Sequence, residues 1–397
     1  MSRLVAGLMS GTSLDGLDAS LVKINGFGAD TKVDRIKSIS LPYTDALKQE
    51  LLDVMNVEKS NVEKICSLNV ALSYQFAKAV KKVCAEADID LEDLDLIGSH
   101  GQTVYHIPKE TDSLVRSTLQ IGDPSIIAYE TNTMVVSNFR MMDIAAGGEG
   151  APLIPYIDWL LYRNQYKGRI LQNIGGIGNC TVIEKNASLE TIYAFDTGPG
   201  NMIIDALCRR LFNVPYDERG RIAGRGVVHK EIVESWMTYD FFSKQPPKST
   251  GRETFGEAFT SQIIKDYKDL PYEDLVATAT YFTAYSIADA YEKFVFPKTE
   301  IADVIISGGG GNNPTLITMI QNLLPSKNVY TSEQLGITAD EKEAVGFAVL
   351  ANETIHQQKA NVPNATGAKE PVILGQITLP PYGDNTYYLL EEVQKVQ

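Results

Sequence analysis

Residues 4–23 read LVAGLMSGTSLDGLDASLVK: an apolar run, an insert of Gly, Ser, Thr and Asp, and a second run in which apolar and polar residues partly alternate. Leu4, Val5, Ala6, Leu8 and Met9 have the pattern of a strand buried on both faces. Ala19, Leu21 and Ile24 mark a second strand. The pattern predicts a β-hairpin in which Gly11 and Gly16 allow the positive φ that a tight tip asks for. Backbone N–H groups freed there can converge on an anion. Ser10, Thr12 and Ser13 add hydroxyls, and Asp15 and Asp18 add hard oxygens of the kind that hold Mg²⁺. No Gly-Lys-Ser/Thr follows and the second element reads as a strand, so this is not a Walker loop. A plain polar hairpin turn has the same composition, and the rest of the chain has to decide.

Working outward, KVDRIKSISLPY (32–43) reads as a third strand, and residues 44–87 carry helical periodicity through Leu47, Leu51, Leu68, Leu72, Phe76, Val80 and Val83. LDLIGSHGQTVYH (94–106) predicts a strand, a polar turn and a short return, and STLQIGDPSIIAYETNTMVVSNF (117–139) a strand, turn, helix and strand. A second pass begins near residue 169, where RILQNIGGIGNCTVIEK is again strand, Gly-rich tip and strand, about 165 residues after the first. TIYAFDTGPGN follows as a third strand ending in a turn, MIIDALCRRLF opens a helix, and a mostly helical, irregular stretch runs to about 297. ADVIISGGGGNNPTLITMIQNLL is then strand, glycines and helix, and residues 339–356 read as a late helix. Repetition on this scale predicts a duplicated α/β domain, with both Gly-rich tips facing one inter-domain cleft of the kind ligands favour.

The 397 residues suffice for two domains. The net charge of −14 (36 basic against 50 acidic residues) argues against nucleic acid or an anionic membrane as partner. No apolar run reaches the roughly 18 residues of a membrane-spanning helix, and no basic region followed by an apolar core opens the chain, so no signal peptide is expected. Cys66, Cys84, Cys180 and Cys208 are widely spaced and are expected reduced and buried, and the four histidines show no HExxH zinc pattern.

Other segments carry chemistry. In Gly175-Gly176-Ile177-Gly178 the glycines let a phosphate approach the backbone; a hairpin needing positive φ is the bland reading. Gly308-Gly309-Gly310-Gly311 lies between a strand and a helix, where a base or ribose can lie against bare backbone and the helix N-terminus favours anions. Asp196 in FDTGPGN ends a predicted strand, where a carboxylate serves either as a general base or as an N-cap. His100 and Gln102 in SHGQT suit a sugar's hydroxyls. Arg140 and Asp143 in FRMMD form a charged pair; Arg140 suits a substrate carboxylate, and the alternative is a surface ion pair. Glu343 opens the late helix, where the helix dipole alone would favour it.

Together GLMSGTSLDGLD (7–18), GSHGQT (98–103), LQIGD (119–123), FRMMDIAAGGEGAPLIP (139–155), NIGGIGN (173–179), FDTGPGN (195–201), PKSTGRE (247–253) and SGGGGNN (307–313) resemble the anhydro-N-acetylmuramic acid kinase family, in family order over nearly the whole chain. The resemblance implies two RNase H-like domains of the sugar kinase/Hsp70/actin kind around a nucleotide cleft. It implies that 1,6-anhydro-N-acetylmuramic acid, ATP and water give N-acetylmuramic acid 6-phosphate and ADP, in cell-wall recycling. It further implies a cytoplasmic homodimer using Mg²⁺. Gly11, Thr12, Ser13, Leu14, Asp15, Gly16, Leu17 and Asp18 match the family's ATP phosphate loop, with Asp18 as Mg²⁺ partner. Gly175, Gly176 and Gly178 match a second phosphate loop, and Gly308 to Gly311 the adenosine loop. Asp196 matches the general base, and Glu343 a glutamate near the same sugar. Ser10, His100, Gln102, Arg140 and Asp143 fall at the substrate. PKSTGRE is shared without an evident role. The expected division is residues 1–137 plus a tail from about 362 to 397 against residues 138–361. A kinase of another small sugar or acid would keep the same nucleotide loops, and so would an actin-like filament former, in which FDTGPGN and SHGQT have no evident purpose.

Overall fold

A computed structural model describes residues 2–11, 14, 16–335 and 339–382, without side chains at 339 and 340. The strands are β1 Ser2–Ser10, β2 Gly16–Asn25, β3 Lys32–Pro42, β4 Leu96–Ile107, β5 Ser117–Ile121, β6 Met134–Ser137, β7 Arg169–Ile174, β8 Ile177–Ile183, β9 Tyr193–Pro199, β10 Asp303–Ser307, β11 Asn328–Thr331 and β12 Gln376–Thr378. They form one sheet in each of two compact units. The first unit holds residues to Leu161 and from Asp340, and the second Tyr162–Ala339.

The two sheets repeat one plan. In the first, β1, β2 and β3 are antiparallel neighbours, and β4 and β6 continue parallel to β1. In the second, β7, β8 and β9 are antiparallel, and β10 and β11 continue parallel to β7. Both therefore have the 3-2-1-4-5 order and strand senses of an RNase H-like sheet, and the expected duplication is present. The first sheet adds β5 on β4 and β12 antiparallel to β6.

The sheets are central and covered, which is why their first strands read as apolar runs. Ala6 and Leu8 of β1 are fully buried beside Leu72, Phe76 and Val80 of the helix Val62–Glu86. In the second unit Ile170, Ile174 and Phe195 pack with Ile287, Tyr291 and Phe294 of the helix Tyr272–Phe294. Gly7 and Gly98 are direct partners in the β1–β4 ladder. On that side of the sheet the helix Ala339–Ile355 comes so close that a Cβ on Gly7 would lie 1.9 Å from Ala344 O, and one on Gly98 2.0 Å from Phe347 O. This seating puts the late helix in the first unit, whereas the expected boundaries assign it, with the helix Ile154–Tyr162, to the second domain.

Two local expectations change. SHGQT is not a turn: β4 runs unbroken from Leu96 to Ile107, and Gly101 at φ 77° absorbs one extra residue as the pairing shifts between Leu8 and Ser10. Cys84, Cys180 and Cys208 are buried free thiols as expected, but Cys66 is exposed. Among the described residues no helix is long and apolar enough to cross a membrane.

Gly98→Ala tests the close approach. The new methyl meets a backbone carbonyl that cannot rotate away, so a loss of about 3 kcal/mol or more is expected in denaturant unfolding. A midpoint equal to that of the wild type would mean that the helix can retreat at no cost.

Candidate functional site

Ser10 ends β1 and ties the first hairpin down. Its hydroxyl donates to Gln102 Oε1 in a short contact and accepts from Tyr43 Oη at 2.6 Å. Gln102, fully buried, also donates from Nε2 to Gly11 O at 3.4 Å and Thr103 O at 3.2 Å. Burial pushes the Tyr43 phenol up to about 12, so it stays a neutral donor. Among the described residues of the tip, positive φ belongs to Leu14, at 58°, whose side chain is buried and whose N–H donates to Gly11 O at 3.3 Å. Gly16 and Leu17 lie within β2, and Gly16 is a close approach: a Cβ there would come 2.4 Å from Leu41 O. Asp18 stands half-buried opposite Met9, near enough to Tyr43 for its charge to act there. Thr12, Ser13 and Asp15 lie outside the described residues.

His100, Arg140 and Glu343 come together in the same unit. The buried His100 ring donates from Nδ1 to Gly101 O at 2.8 Å, so Nε2 is left to accept Arg140 Nε–H at 3.0 Å. The ring packs on Phe347 with centroids 4.7 Å apart. Burial, then the adjacent guanidinium, pulls His100 down to about 3, so the imidazole is neutral. Arg140 Nη1 donates to Gly150 O at 2.8 Å. Burial lowers the Arg140 pKa, and the charges of Glu343 and then Asp143 oppose that. Asp143 is not one half of a surface ion pair. It is fully buried and accepts from Gly150 N at 2.8 Å, Asn361 Nδ2 at 2.7 Å and Thr366 Oγ1 at 2.7 Å. Its carboxylate fixes the loop beneath Arg140. Asn361 and Thr366 were not foreseeable, because their partner lies over 200 residues away.

The second unit carries the other glycine segments and Asp196. Gly175 and Gly176 make the two-residue tip between β7 and β8, neither with positive φ, and Gly178 pairs with Ile174 in the ladder. The carbonyls of Gly175 and Gly176 accept from the N–H groups of Asn201 (2.7 Å) and Gly200 (2.9 Å), while a Cβ on either glycine would meet nothing closer than 3.5 Å. This is a bare cradle. Of the four later glycines, Gly308 and Gly310 press on β7, where a Cβ would come 2.5 Å from Asn173 Oδ1 and 2.4 Å from Ile174 Cγ2. Gly309 and Gly311 are open at 3.5 and 3.7 Å. The helix Pro314–Leu323 is capped by its own Asn313, whose Oδ1 accepts from Leu316 N at 3.0 Å and so takes one of the N–H groups an anion would use. Gly309, Asn201, Asp205, Glu218, Arg219 and Asn312 border a cavity of about 460 Å³. Asp205 is pushed up to about 6 by burial, and Asp217 is spent on the N–H groups of Ile222 (2.8 Å) and Ala223 (2.9 Å). Carboxylates outnumber the guanidinium here, which suits an uncharged nucleoside better than its phosphates.

Asp196 lies inside β9 opposite Asn179, not at a strand end, and the helix Met202–Leu207 begins six residues later, so it is not that helix's cap. Its N–H donates to Lys248 O at 3.0 Å and its Oδ2 accepts from Thr250 N at 2.8 Å. Burial raises its pKa; the Thr250 N–H and the charge of Lys248 oppose that. PKSTGRE therefore has a place, as the segment bound to Asp196.

The family described as anhydro-N-acetylmuramic acid kinase matches this chain over residues 3–380. The chain belongs to the anhydro-N-acetylmuramic acid kinase family. A protein named anhydro-N-acetylmuramic acid kinase from Bacillus cereus (strain G9842) is 54% identical over 379 residues, covering 95% of this chain and 99% of that one. One of the same name from Bacillus thuringiensis (strain Al Hakam) is 53% identical, covering 95% and 98%. Among solved structures, a ROK family glucokinase from Streptomyces griseus in complex with glucose and AMPPNP is 10% identical, covering 88% of this chain and 99% of that one, with a TM-score of 0.38.

In this kinase the fold holds His100 neutral, and proton uptake there is a stability term. The unfolded chain binds the proton near pH 6.5, while the folded state refuses it until about 3. The unfolded state then holds more protons across that window, so stability falls as pH falls through it. Imidazole NMR should show no titration of His100 between about pH 5 and 8. A His100 resonance titrating near 6.5 would contradict the burial and tautomer described.

Proposed function

We propose that this kinase opens the 1,6-anhydro ring of 1,6-anhydro-N-acetylmuramic acid with water and phosphorylates the freed O6 from ATP, giving N-acetylmuramic acid 6-phosphate and ADP in peptidoglycan recycling. The observation that carries this reading is the family match over residues 3–380. Asp196 is the general base. With Oδ2 fixed by Thr250 N–H, the carboxylate takes a proton from water. The water oxygen bonds to C1, the C1–O6 bond breaks, and O6 bonds to the γ-phosphorus as ADP leaves. Glu343 is the second carboxylate near the sugar. Arg140, aimed by His100 and Gly150 O, binds the lactyl carboxylate, and Asp143 supports its loop. Ser10 and Gln102 set the end of β1 next to the sugar's hydroxyls.

For the nucleotide, the loop from Gly11 to Asp18 and the cradle of Gly175, Gly176 and Gly178 take the phosphates. Gly308 to Gly311, with Gly309 on the cavity, take adenosine. Asp18 is the residue we assign to Mg²⁺: one carboxylate ligand is enough for an ion that keeps several waters. When bound, Mg²⁺ neutralises phosphate charge, which an acidic chain needs. We place the enzyme in the cytoplasm as a homodimer, as its family resemblance suggests.

Asp196→Asn should lower turnover by about 10²–10⁴-fold or more while leaving ATP affinity intact; near-normal turnover would sink the assignment. In ¹⁸O-water, mass spectrometry should find the label at C1 and the phosphate on O6. Because Asp196 must be ionised to accept a proton and burial raises its pKa, kcat/KM should fall as pH drops through a value above the ordinary carboxylate range.

A further inference from the structure

Beyond the Thr250 N–H that fixes Asp196 Oδ2, PKSTGRE (247–253) has no role in the steps above, yet it is fastened to Asp196 at two points. Between them the Lys248 side chain turns inward. The residue is only 9% exposed, its Nζ lies 4.5 Å from the ring centroids of both Phe241 and Phe294, and it donates to Phe241 O at 3.2 Å. A buried ammonium normally rests on a carboxylate, because desolvating an unpaired charge is costly. Among the described residues Lys248 forms no ion pair. Two aromatic faces and one carbonyl keep it charged and leave its field unquenched.

We propose that Lys248 is a positioning residue for Asp196: its buried ammonium holds the negative charge on that carboxylate, and residues 247–253 are the strap that fixes the two together. The proposal rests on the reading of Asp196 as general base. Asp196 faces Lys248 and Glu253, and Lys248 faces Asp289, Lys293, Cys180 and Asp196. Asp289 is already paired with Lys293 at 2.8 Å, so its pull on Lys248 is shared. Burial lowers Lys248 to about 8, which leaves it largely protonated at neutral pH. After the Thr250 N–H, it is then the cation that opposes the effects of burial and of Glu253 on Asp196.

The test is Lys248→Met and Lys248→Gln, with Lys248→Arg as the charge-retaining control. Asp196 is followed by ¹³C-carboxylate NMR beside the pH profile of kcat/KM. In both neutral variants the Asp196 titration and the acid limb should rise together by about 1 pH unit, a roughly tenfold loss of kcat/KM on the acid side. Lys248→Arg should restore both, with KM for ATP unchanged. Folded neutral variants in which Asp196 titrates as in the wild type overturn the proposal. If the carboxylate titration moves and the acid limb does not, Lys248 does act on Asp196, and the assignment of Asp196 as base is what fails. Should the neutral variants not fold, Asp196→Asn gives the reciprocal measurement. Loss of its charge must lower the Lys248 ammonium titration, read on ¹³C-lysine-labelled protein, and an unmoved value overturns the proposal.

Discussion

The first unit depends on one steric constraint: the paired glycines Gly7 and Gly98 leave a groove across β1 and β4 into which the backbone of the helix Ala339–Ile355 is pressed. The helix answers with small residues, Ala344, Ala348 and Ala351, at the contact. Much of the site hangs from this seam. Ser10 and His100 lie three and two residues beyond the glycines on their strands. Phe347 covers the His100 ring, and Glu343 stands one turn before Phe347, where its charge reaches Arg140. Polar contacts then lock the helix at both ends. Lys342 Nζ meets Asp158 at 3.0 Å, and the fully buried Glu353 accepts from Gly28 N at 2.8 Å, Tyr156 Oη at 2.9 Å and Thr31 Oγ1 at 3.0 Å. Leaving any of these donors unpaired inside the protein costs more than the bond itself contributes.

The strands were legible because their burial is local information. A two-faced core strand must be apolar throughout, and both hairpins announce themselves by that run and a Gly-rich break. The duplication followed from seeing the pattern twice. The seam was not legible. Nothing near Gly7 or Gly98 in sequence says that a helix from residue 339 onward will lie on them, and the expected boundaries grouped that helix with residues 138–361. Glycine also misled within SHGQT: it usually punctuates strands with turns, but Gly101 makes a bulge where β4 gains one residue on β1, and β5 pairs from Gln102 onward.

At the site, residue types were readable and their partners were not. Arg140 and Asp143, three apart, look like a pair, yet each answers to a different neighbour: His100 for the guanidinium, and Asn361 with Thr366 for the carboxylate. Asp196 beside Gly-Pro-Gly looks like a strand end, but the register shift at Gly178 keeps it in the ladder. PKSTGRE lacks any periodicity. Its place is set by hydrogen bonds to one residue some fifty positions earlier, Asp196, and a single sequence holds no trace of those.

The charge arrangement around the proposed base has its own logic. A carboxylate acting as base in a desolvated site is caught between two failures. Burial alone can raise its pKa by about 3–5 units and leave it protonated, whereas a direct ion pair lowers it by about 1–3 units and makes it a poor proton acceptor. A buried cation stands near a carboxylate in each unit. Arg140 and Lys248 are buried cations, each lowered by burial and each acting on a nearby carboxylate, Glu343 and Asp196 respectively, through the field. Each cation's own hydrogen bonds go elsewhere: Arg140 to an imidazole and a carbonyl, Lys248 to a carbonyl beside two rings. Holding the cation by neutral groups keeps it charged without surrendering it to the carboxylate. Around the proposed base, that arrangement sets a buried cation against the effect of burial, in a chain of net charge −14.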